Sequence, residues 1–459
     1  MNQEINVNEY ISAVSDILAK RNTKLRAFVR SFGCQLNFSD GEKIKGMLVK
    51  MGCEMAEKEE NADIVIYNTC AVRENAEDRV FGNLGFLKHY KEKNPGMIIG
   101  LCGCMASLEH VTRKLKNSYR FVDIVFSPSA LDRLPKLLLE RLSGSRYAFD
   151  TNEYNMSSEG LYQERDSSFK ASVPIMFGCN NFCTYCIVPY VRGRERSRKP
   201  ENIIQEVEKL VQNGYKEIML LGQNVNSYGK DLDESVDFPE LLKRINEIDG
   251  DFVIRFMSSH PKDAGKKLID TIINCGKIGK HLHLPVQSGS NDILDKMNRR
   301  YTVEKYLETI DYARSFIPDF SFTTDIIVGF PNESEEDFEK TLSLMKRVKY
   351  DNIYSFIYSK RSGTKAAEID DKVSDEEKGK RMTRLLSLQR EISTESYKRF
   401  IGRTMRVLVD GKSKTDGYMT GKSNEFVIVE FEGDESLVGS FVNIKITDAK
   451  NWAVTGVII

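Results

Sequence analysis

The sequence has no net charge and no long apolar run. Its 459 residues include 67 basic and 67 acidic side chains. Bulk charge therefore does not indicate a nucleic-acid partner, and any basic footprint must be local. No run of about 18 apolar residues is present, and the first six residues lack the cationic start of a signal peptide. We therefore expect neither a membrane span nor secretion.

Cysteines are odd in number, and histidines are scarce. Nine cysteines do not suggest the disulfide framework of a secreted protein, and free thiols fit a reducing cytoplasm. Three of them, Cys179, Cys183 and Cys186, lie in one short loop. A structural zinc ion takes four ligands, but no fourth cysteine lies nearby and the nearest histidine is His260. Three thiolates suit a four-iron cluster with one iron left open; the alternatives are a zinc knuckle or chance spacing.

The N-terminal part of the chain alternates strand and helix patterns. We expect residues 1–22 to form a leader and residues 23–150 to form an open, mostly parallel α/β sheet domain. Cys34, Cys70 and Cys104 each come just after a predicted strand. Because the carboxyl ends of parallel strands share one edge of a sheet, these thiols can meet there. The alternative is that they are ordinary core cysteines, since cysteine is often buried.

The remaining cysteines suit a packing role. Cys53 precedes its strand, Cys102 lies inside a strand, and Cys275 ends a helical pattern. We therefore predict that these three thiols are packed in the interior and are not metal ligands.

The central part of the chain predicts an incomplete barrel. Residues 151–170 are polar and predict a linker, and residues 171–400 alternate six strands with helices, as a partial (β/α)6 barrel would. In such barrels the chemistry lies at the carboxyl ends of the strands. The polar residues found there predict a small-molecule pocket, and they include Gln223, Asn224, Gln287 and Asp325, with His260 and His283 as further candidates. The alternative for each is a helix cap or a turn residue.

A basic run follows the cysteine loop. Between residues 192 and 199 there are five cations and one acid, and the arginines are Arg192, Arg194, Arg196 and Arg198. Such a patch suits a phosphate backbone, which dominates nucleic-acid affinity. The alternative is a solvated, charged turn.

The last part of the chain reads as strands separated by glycine-containing turns. We expect residues 401–459 to form a small antiparallel β-barrel comparable to an OB-like module, a type that often binds nucleic acid. Its charge is nearly balanced, so charge alone does not support that use.

These stretches together resemble the methylthiotransferase family of radical S-adenosylmethionine (SAM) enzymes, from about residue 24 to the end. That family has an N-terminal methylthiotransferase domain, a radical SAM barrel and a C-terminal TRAM barrel. The matching stretches are Ser31-Phe32-Gly33-Cys34-Gln35-Leu36-Asn37, Asn68-Thr69-Cys70-Ala71-Val72-Arg73, Gly103-Cys104, residues 178–198, Leu221 to Gly229, and Leu284-Pro285-Val286-Gln287-Ser288-Gly289. The stretch Arg255 to Pro261 resembles the branch of the family that modifies tRNA more than the branch that modifies an aspartate of a ribosomal protein.

The resemblance implies two four-iron clusters and SAM as cofactors. One cluster would be held by Cys179, Cys183 and Cys186, where its open iron chelates SAM beside Tyr185; the other would be held by Cys34, Cys70 and Cys104. The first would split SAM reductively, and the resulting radical would remove the C2 hydrogen of an N6-isopentenyladenosine beside a tRNA anticodon. That C–H bond is too weakly acidic for a side-chain base, so a cofactor must carry the step and we assign no catalytic side chain.

The resemblance also sets the expected partners. They are tRNA, contacted by the basic run and the C-terminal barrel, and an electron donor such as flavodoxin or ferredoxin; the sulfur donor stays unidentified. We expect a cytoplasmic monomer. The alternatives are the same chemistry on threonylcarbamoyladenosine of tRNA, the same chemistry on a ribosomal aspartate, and a non-catalytic, metal-stabilised RNA-binding protein. Two departures from the family pattern are Asn298-Arg299-Arg300, where Lys-Arg-Gly is usual, and Asn332, where Gly is usual.

Overall fold

The structure is a computed structural model that describes residues 6–21, 24–71, 74–154 and 159–459. The start of the predicted leader, Val72 and Arg73 of the second cysteine motif, and residues 155–158 of the predicted linker lie outside the described residues. The chain divides into two compact units. Unit 1 comprises residues 1–166, 177–180 and 186–195, and unit 2 comprises residues 167–176, 181–185 and 196–459.

The N-terminal part of unit 1 is an α/β domain built on a parallel sheet. Its strands Ile64–Thr69 and Ile98–Gly103 are buried along their whole length, as strands of a parallel sheet covered by helices on both faces must be. Its helices are α1 Val7–Ala19, α2 Gln35–Lys50, α3 Glu74–Lys93, α4 Glu109–Ser118 and α5 Leu134–Leu142. Its strands are β1 Arg26–Ser31, β2 Glu54–Met55, β3 Ile64–Thr69, β4 Ile98–Gly103, β5 Ile124–Phe126 and β6 Ala148–Asp150.

The six strands run parallel in the order β2-β1-β3-β4-β5-β6. The predicted open parallel sheet is confirmed, and the sequence missed only the two short edge strands β2 and β6. Because β2 and β3 lie on opposite sides of β1, the strand order reverses there. In open α/β sheets ligands bind at the carboxyl ends of the strands beside such a reversal.

Two predicted boundary segments belong to this domain instead. Helix α1 lies in the predicted leader, and its residues Ile11, Val14 and Leu18 pack into the same core as β1 and β3. Part of the predicted linker also contacts this domain, since the Gln163 side-chain amide donates to the Glu42 carboxylate of helix α2 at 2.7 Å. An amphipathic helix buries its apolar stripe wherever a complementary face is available, and no sequence signal showed that face.

The central region contains six parallel strands, which form two three-stranded sheets. The sheet β11-β10-β7 and the sheet β12-β13-β14 are each three-stranded and parallel, and helices cover the face that carries the aliphatic core. This is the predicted partial barrel. Its first strand is β7 Lys170–Pro174; two further short strands, β8 Met176–Phe177 and β9 Arg196–Ser197, lie outside the two sheets. The other five barrel strands are β10 Glu217–Leu221, β11 Val253–Phe256, β12 His281–His283, β13 Ser321–Val328 and β14 Asn352–Ile357. The short helix α6 Val188–Val191 belongs to unit 1. The helices of the barrel are α7 Pro200–Gln212, α8 Phe238–Asn246, α9 Lys266–Asn274, α10 Asn291–Lys296, α11 Val303–Phe316 and α12 Glu335–Val348.

A long helix, α13 Asp375–Tyr397, leads to a closed five-stranded barrel at the C-terminus. Its strands are β15 Thr404–Lys412, β16 Tyr418–Ser423, β17 Ile428–Glu432, β18 Phe441–Ala449 and β19 Val454–Ile458. The predicted barrel is confirmed, but its β17–β19 pair is parallel and only the other pairs are antiparallel. Closure leaves this sheet without an edge open to other chains.

The β16–β17 turn of this barrel contacts the amino-terminal ends of the central strands. Arg255, buried in β11, donates to Glu217 at 2.7 Å and to the Ser423 carbonyl oxygen at 2.7 Å. The Phe426 ring stacks on His281 with a centroid separation of 4.7 Å. The β16–β17 turn therefore packs against the central partial barrel, at the end opposite to the carboxyl ends of its strands. None of the helices in the described residues is long and apolar enough to cross a membrane.

Candidate metal centres and cofactor pocket

Cys34, Cys70 and Cys104 lie at one edge of the parallel sheet. Cys70 and Cys104 directly follow the carboxyl ends of β3 and β4, and Cys34 comes three residues after the end of β1, where the strand order reverses. Cys34 is exposed, and Cys70 and Cys104 are buried. The chain therefore brings thiols from three separate strands to the edge at which open sheets bind ligands.

The Asn37 side chain sits between these thiols. Its Oδ1 accepts from the Cys34 thiol at 3.4 Å and from the Cys104 thiol at 3.9 Å, and its Nδ2 donates to the Thr69 carbonyl oxygen at 2.8 Å. Asn37 is fully buried. The predicted proximity of the cysteines is thus confirmed for Cys34 and Cys104, while their role as ligands stays a prediction.

Gly33 places Cys70 in the same group. Its φ of +104° is a conformation that side chains rarely adopt, and a Cβ added there would lie 2.7 Å from the Cys70 sulfur. The backbone beside Cys34 can approach Cys70 this closely only because residue 33 has no side chain. All three sulfurs therefore lie around the turn that follows β1.

A buried arginine contacts this group. Arg192 donates through Nε to the Cys104 sulfur at 3.1 Å and through Nη2 to Asn37 at 2.9 Å and to Asp40 at 2.8 Å. Burial opposes its charge, but the neighbouring Cys104 and Asp40 outweigh burial and raise the pKa of Arg192. Burial in turn raises the pKa of the Cys104 thiol to about 12, so loss of its proton needs a strong positive partner such as a metal. The prediction that Arg192 contacts RNA is wrong, because its guanidinium is buried.

No group of three or more histidine, cysteine, aspartate or glutamate side chains in the described residues is arranged to hold a single metal ion. A tetrahedral ion with metal–sulfur bonds of about 2.3 Å needs all its ligands around one point. The thiolates of a four-iron cluster bind different irons and surround a much larger group. The donor set at the sheet edge, three thiols around one turn, fits the second case.

The other cysteine loop begins with a second glycine that a side chain could not replace. Gly178 has φ of +74°, and a Cβ there would lie 1.9 Å from the Arg194 carbonyl oxygen. The Cys179 amide donates to the Gly193 carbonyl oxygen at 3.1 Å. Cys179 and Cys186 belong to unit 1, whereas Cys183 belongs to unit 2, so the convergence of these three thiols stays a prediction from their spacing.

In unit 2, a short segment after helix α10 fixes the middle of this loop. The Thr184 amide donates to the Met297 carbonyl oxygen at 3.1 Å. The Asn298 amide donates to the Asn181 and Phe182 carbonyl oxygens at 3.3 and 3.0 Å. The residue after Asn298 is Arg299, which is buried and donates through Nη1 to the Cys183 sulfur at 3.4 Å.

Within unit 1, the end of the Cys179–Cys186 loop packs beside the sheet-edge cysteines. Ile187, the residue after Cys186, forms a buried cluster with Val191, Ala71 and Cys104. The Ser107 hydroxyl donates to the Val191 carbonyl oxygen at 3.4 Å. Helix α6 therefore brings Cys186 next to the strand ends that carry Cys70 and Cys104.

The rim of the partial barrel carries buried polar atoms without a hydrogen-bond partner among the described residues. They follow β10 and β11, whose loops contact each other through the Val225 amide and the Ser258 carbonyl oxygen at 3.3 Å. The atoms are Gln223 Oε1, Asn224 Oδ1, both amide atoms of Asn226, Ser259 Oγ and His260 Nε2. Because burying an unpaired polar atom is costly, such a group indicates a polar ligand.

His260 is a neutral donor in this group. Burial, with Arg299 second, lowers the pKa of His260 to about 2, so the ring carries no charge at neutral pH. Its Nδ1 accepts from the Lys262 amide at 3.2 Å, which leaves the proton on Nε2. His260 thus has one buried N–H available to a ligand at the rim, and its place in the pocket stays a prediction.

The inner face of the second sheet carries Asp325. His283 lies 3.5 Å from Asp325 through Nε2 and packs edge-on against Tyr354. Tyr354 and Phe356, on edge strand β14, are among the exposed large hydrophobic residues. Gln287 pairs with the Asp325 backbone through its amide at 2.9 Å, and Tyr185 packs in a small apolar cluster with Phe330. A flat ring can stack here beside a carboxylate.

The basic run is only partly exposed. Arg194 is exposed and Arg196 is half-buried. Arg198 is largely buried and donates to the Pro174 carbonyl oxygen and pairs with Glu206 at 2.9 Å. Arg194 therefore keeps its interpretation as an RNA contact, while Arg198, like Arg192, serves the interior. The sequence analysis missed Asn37, Asn226 and Arg299; only their proximity to the cysteine and rim motifs could have indicated them.

Three family models match successive parts of the chain. "Radical SAM superfamily" matches residues 173–345, "Uncharacterized protein family UPF0004" matches residues 26–127, and "TRAM domain" matches residues 398–459. Among solved structures, the radical SAM methyltransferase TsrM from Kitasatospora setae has a TM-score of 0.55 at 10% identity, covering 75% of this chain and 77% of its own. That likeness shows the fold alone. Fold, cysteine loop and matched models together define a radical SAM enzyme with a TRAM domain.

Curated relatives give the family. The tRNA-2-methylthio-N(6)-dimethylallyladenosine synthase of Thermoanaerobacter pseudethanolicus is 52% identical over 94% of this chain and 92% of its own. The protein of that name from Clostridium botulinum strain Langeland is 49% identical over 95% of this chain and 97% of its own. The chain belongs to the family of tRNA-2-methylthio-N(6)-dimethylallyladenosine synthases, the MiaB-type methylthiotransferases.

Proposed function

We propose that this enzyme adds a methylthio group to C2 of N6-isopentenyladenosine in tRNA, next to the anticodon. Identity near 50% along almost the whole chain to enzymes named for this activity carries the proposal. The site supports it with three thiols at the sheet edge, a second three-cysteine loop, and a polar rim with unpaired atoms. A radical SAM enzyme uses SAM and a four-iron cluster, and these supply the radical chemistry that no side-chain base can provide.

We assign the ligands of that first cluster to Cys179, Cys183 and Cys186. The unpaired amide oxygens of Gln223 and Asn224 are acceptors that fit the hydroxyl and amino groups of SAM, and Asp325 and Gln287 extend the same rim. Tyr185 lies in the loop and is assigned to the cofactor by its place before the last cysteine. These residues bind and orient SAM, and the buried rim excludes water from the reacting atoms.

We assign a second four-iron cluster to Cys34, Cys70 and Cys104. The shared contact at Asn37, the absence of a side chain at Gly33 and the chemistry of three thiols support it. The packing of Ile187 against Cys104 supports a position close to the first cysteine loop. When bound, this cluster is the point at which sulfur is supplied to the substrate.

The substrate base has a suitable surface on the inner face of the second sheet. Tyr354 and Phe356 offer aromatic faces to an unstacked adenine and apolar area to its isopentenyl group, and Asp325 lies beside them. Arg194 and the TRAM barrel are the candidate phosphate contacts. Because the substrate is tRNA, we propose that the enzyme acts in the cytoplasm, as a monomer, with a flavodoxin or a ferredoxin as electron donor.

Nucleoside mass spectrometry of bulk tRNA from cells that lack this protein tests the proposal. The 2-methylthio nucleoside should disappear and isopentenyladenosine should accumulate, and the wild-type gene should reverse both changes. Persistence of the 2-methylthio nucleoside in cells with no second enzyme of the family would refute it. Loss of the methylthio group from threonylcarbamoyladenosine, or from a ribosomal aspartate, would assign the chain to one of the alternative substrates. Anaerobic reconstitution to about eight irons per chain separates all of these from a non-catalytic RNA-binding protein.

A further inference from the structure

We infer that each cysteine set has one thiolate held by a buried guanidinium: Arg192 holds that of Cys104, and Arg299 holds that of Cys183. Both arginines are positioning residues, and each raises the reduction potential of its own cluster. The inference rests on the proposed function, because it takes both cysteine sets as cluster ligands. We assign neither arginine a contact with substrate or SAM; each acts through a cysteine sulfur.

Arg192 is fixed in unit 1 by three acceptors. Its Nε donates to the Cys104 sulfur at 3.1 Å, and its Nη2 contacts Asn37 and Asp40 at 2.9 and 2.8 Å. The side chains of Arg192 and Asp40 are 6% and 7% exposed, so water does not screen this pair. The guanidinium charge is therefore largely offset by the Asp40 carboxylate, and the sulfur experiences the field of a buried ion pair.

Arg299 is fixed in unit 2 by neutral acceptors. Its Nη1 donates to the Cys183 sulfur at 3.4 Å, its Nη2 to the Pro285 carbonyl oxygen at 2.8 Å, and its Nε to the Tyr301 hydroxyl at 3.1 Å. It is 4% exposed, and no carboxylate in the described part of the chain forms an ion pair with it. A buried cation is costly unless it is paired with an anion. Among the hydrogen-bond partners of Arg299 in the described residues, the Cys183 sulfur is the one that becomes an anion on binding iron.

Charge and hydrogen bonds at the sulfurs decide how easily a cluster accepts an electron. Reduction adds negative charge, and a cation held in a medium of low dielectric constant stabilises the reduced form. Removing either arginine should therefore lower the potential of its own cluster. Removing the Asp40 charge alone should leave the Arg192 charge without compensation and should raise the potential of the second cluster. The two partners of this ion pair should thus shift the potential of the second cluster in opposite directions when each is replaced. A general loss of packing is not expected to produce shifts of opposite sign.

Redox titration of the reconstituted full-length protein, followed by electron paramagnetic resonance, tests this directly. Each cluster is measured alone in a background that lacks the other, made by replacing Cys34, Cys70 and Cys104, or Cys179, Cys183 and Cys186, with alanine. The variants are Arg192→Gln, Arg192→Lys and Asp40→Asn for the second cluster, and Arg299→Gln and Arg299→Lys for the first.

The expected result is a shift confined to the adjacent cluster. Arg192→Gln and Arg299→Gln should each lower the reduced-to-oxidised ratio at a fixed potential by about tenfold, which is about 59 mV for a one-electron couple. Asp40→Asn should raise that ratio for the second cluster. The lysine variants keep the charge and should retain most of the wild-type ratio. The first cluster should be unmoved by the Arg192 variants, and the second by the Arg299 variants.

Ratios within twofold of wild type in both glutamine variants, with iron content retained, would overturn the inference, as would equal shifts of both clusters. If Arg192→Gln loses iron, the double variant Arg192→Gln/Asp40→Asn replaces it, because neither buried charge is then unpaired. The double variant should show a lower reduced-to-oxidised ratio for the second cluster than Asp40→Asn alone. Equal ratios in these two variants would contradict the role of Arg192. Failure of the proposed function gives a different result, since the wild-type protein would then show one cluster signal and about four irons per chain.

Discussion

Substituting Gly33 with alanine should remove the second cluster and leave the first. Residue 33 has φ of +104°, and an added Cβ would lie 2.3 Å from the Cys70 Cβ and 2.7 Å from its sulfur. Carbon atoms in contact are normally about 3.5–4.0 Å apart, so Cys70 must move by more than 1 Å. Cys70 is buried at 2% exposure, and a shift of that size takes its sulfur out of the group around Asn37.

Gly52 offers a matched control within the same domain. Its φ is +98°, but nothing lies within 4 Å of an added Cβ. Gly52→Ala should therefore show the backbone strain alone, which is of order 1–3 kcal/mol in the free energy of unfolding. Gly33→Ala should cost at least as much, because the displacement of Cys70 is added to a similar strain.

The assay is iron content after anaerobic reconstitution, together with urea unfolding of the metal-free proteins followed by circular dichroism. Wild type and Gly52→Ala should bind about eight irons per chain, and Gly33→Ala about four. The signal of the cluster at Cys179, Cys183 and Cys186 should persist in both variants. Eight irons in Gly33→Ala, with the stability of Gly52→Ala, would show that Cys70 does not occupy the place assigned to it.

Four further outcomes are expected. Burial lowers the pKa of His260 from 6.5 to about 2, so the folded state holds the ring neutral. The contribution of His260 to the free energy of unfolding is therefore complete above pH 6.5 and is lost progressively below it. Relative to His260→Asn, the free energy of unfolding of wild type in urea should fall by up to about 1.4 kcal/mol per pH unit between pH 6.5 and 4.5, and parallel pH curves for the two proteins would contradict this. Arg300→Gly should raise the free energy of unfolding by up to about 1 kcal/mol, because residue 300 has φ of +56°. Asn298→Gly should lower it, because the two hydrogen bonds from the Asn298 side chain to the cysteine loop are lost; thermal unfolding distinguishes the two variants. Phe426→Ala should cost about 1–2 kcal/mol through lost stacking and cation–π contacts but should leave iron content unchanged, and iron loss would argue against its place below the barrel. Cys275→Ala should retain all the iron, since this thiol packs in the barrel core.

The two departures from the expected family pattern, at positions 300 and 332, have a structural explanation. Both residues adopt positive φ, +56° at Arg300 and +61° at Asn332, and the family resemblance led us to expect glycine at both. Asparagine tolerates this region well and arginine less so. The backbone therefore keeps the conformation that glycine would allow, and the side chain accepts the strain.

The sequence by itself determined the chemistry of this protein. Spacing within the Cys179–Cys186 loop is a local property, so it indicated a cluster before any fold was known. Strand and helix periodicity determined the two α/β regions and the final barrel, and the position of Cys34, Cys70 and Cys104 after strands predicted that they meet, because parallel strands align their carboxyl ends. The aliphatic alternation needed for these predictions is written residue by residue along the chain.

Tertiary structure alone decided which polar side chains serve the interior. Arg192 and Arg194 are two residues apart in one basic run, yet the first is buried against Cys104 and Asp40 while the second is exposed. Nothing in a local pattern distinguishes them, because burial of a charge depends on partners supplied from distant parts of the chain. The same reason explains why the core position of helix α1 and the contact between Arg299 and Cys183 became visible only in the folded molecule.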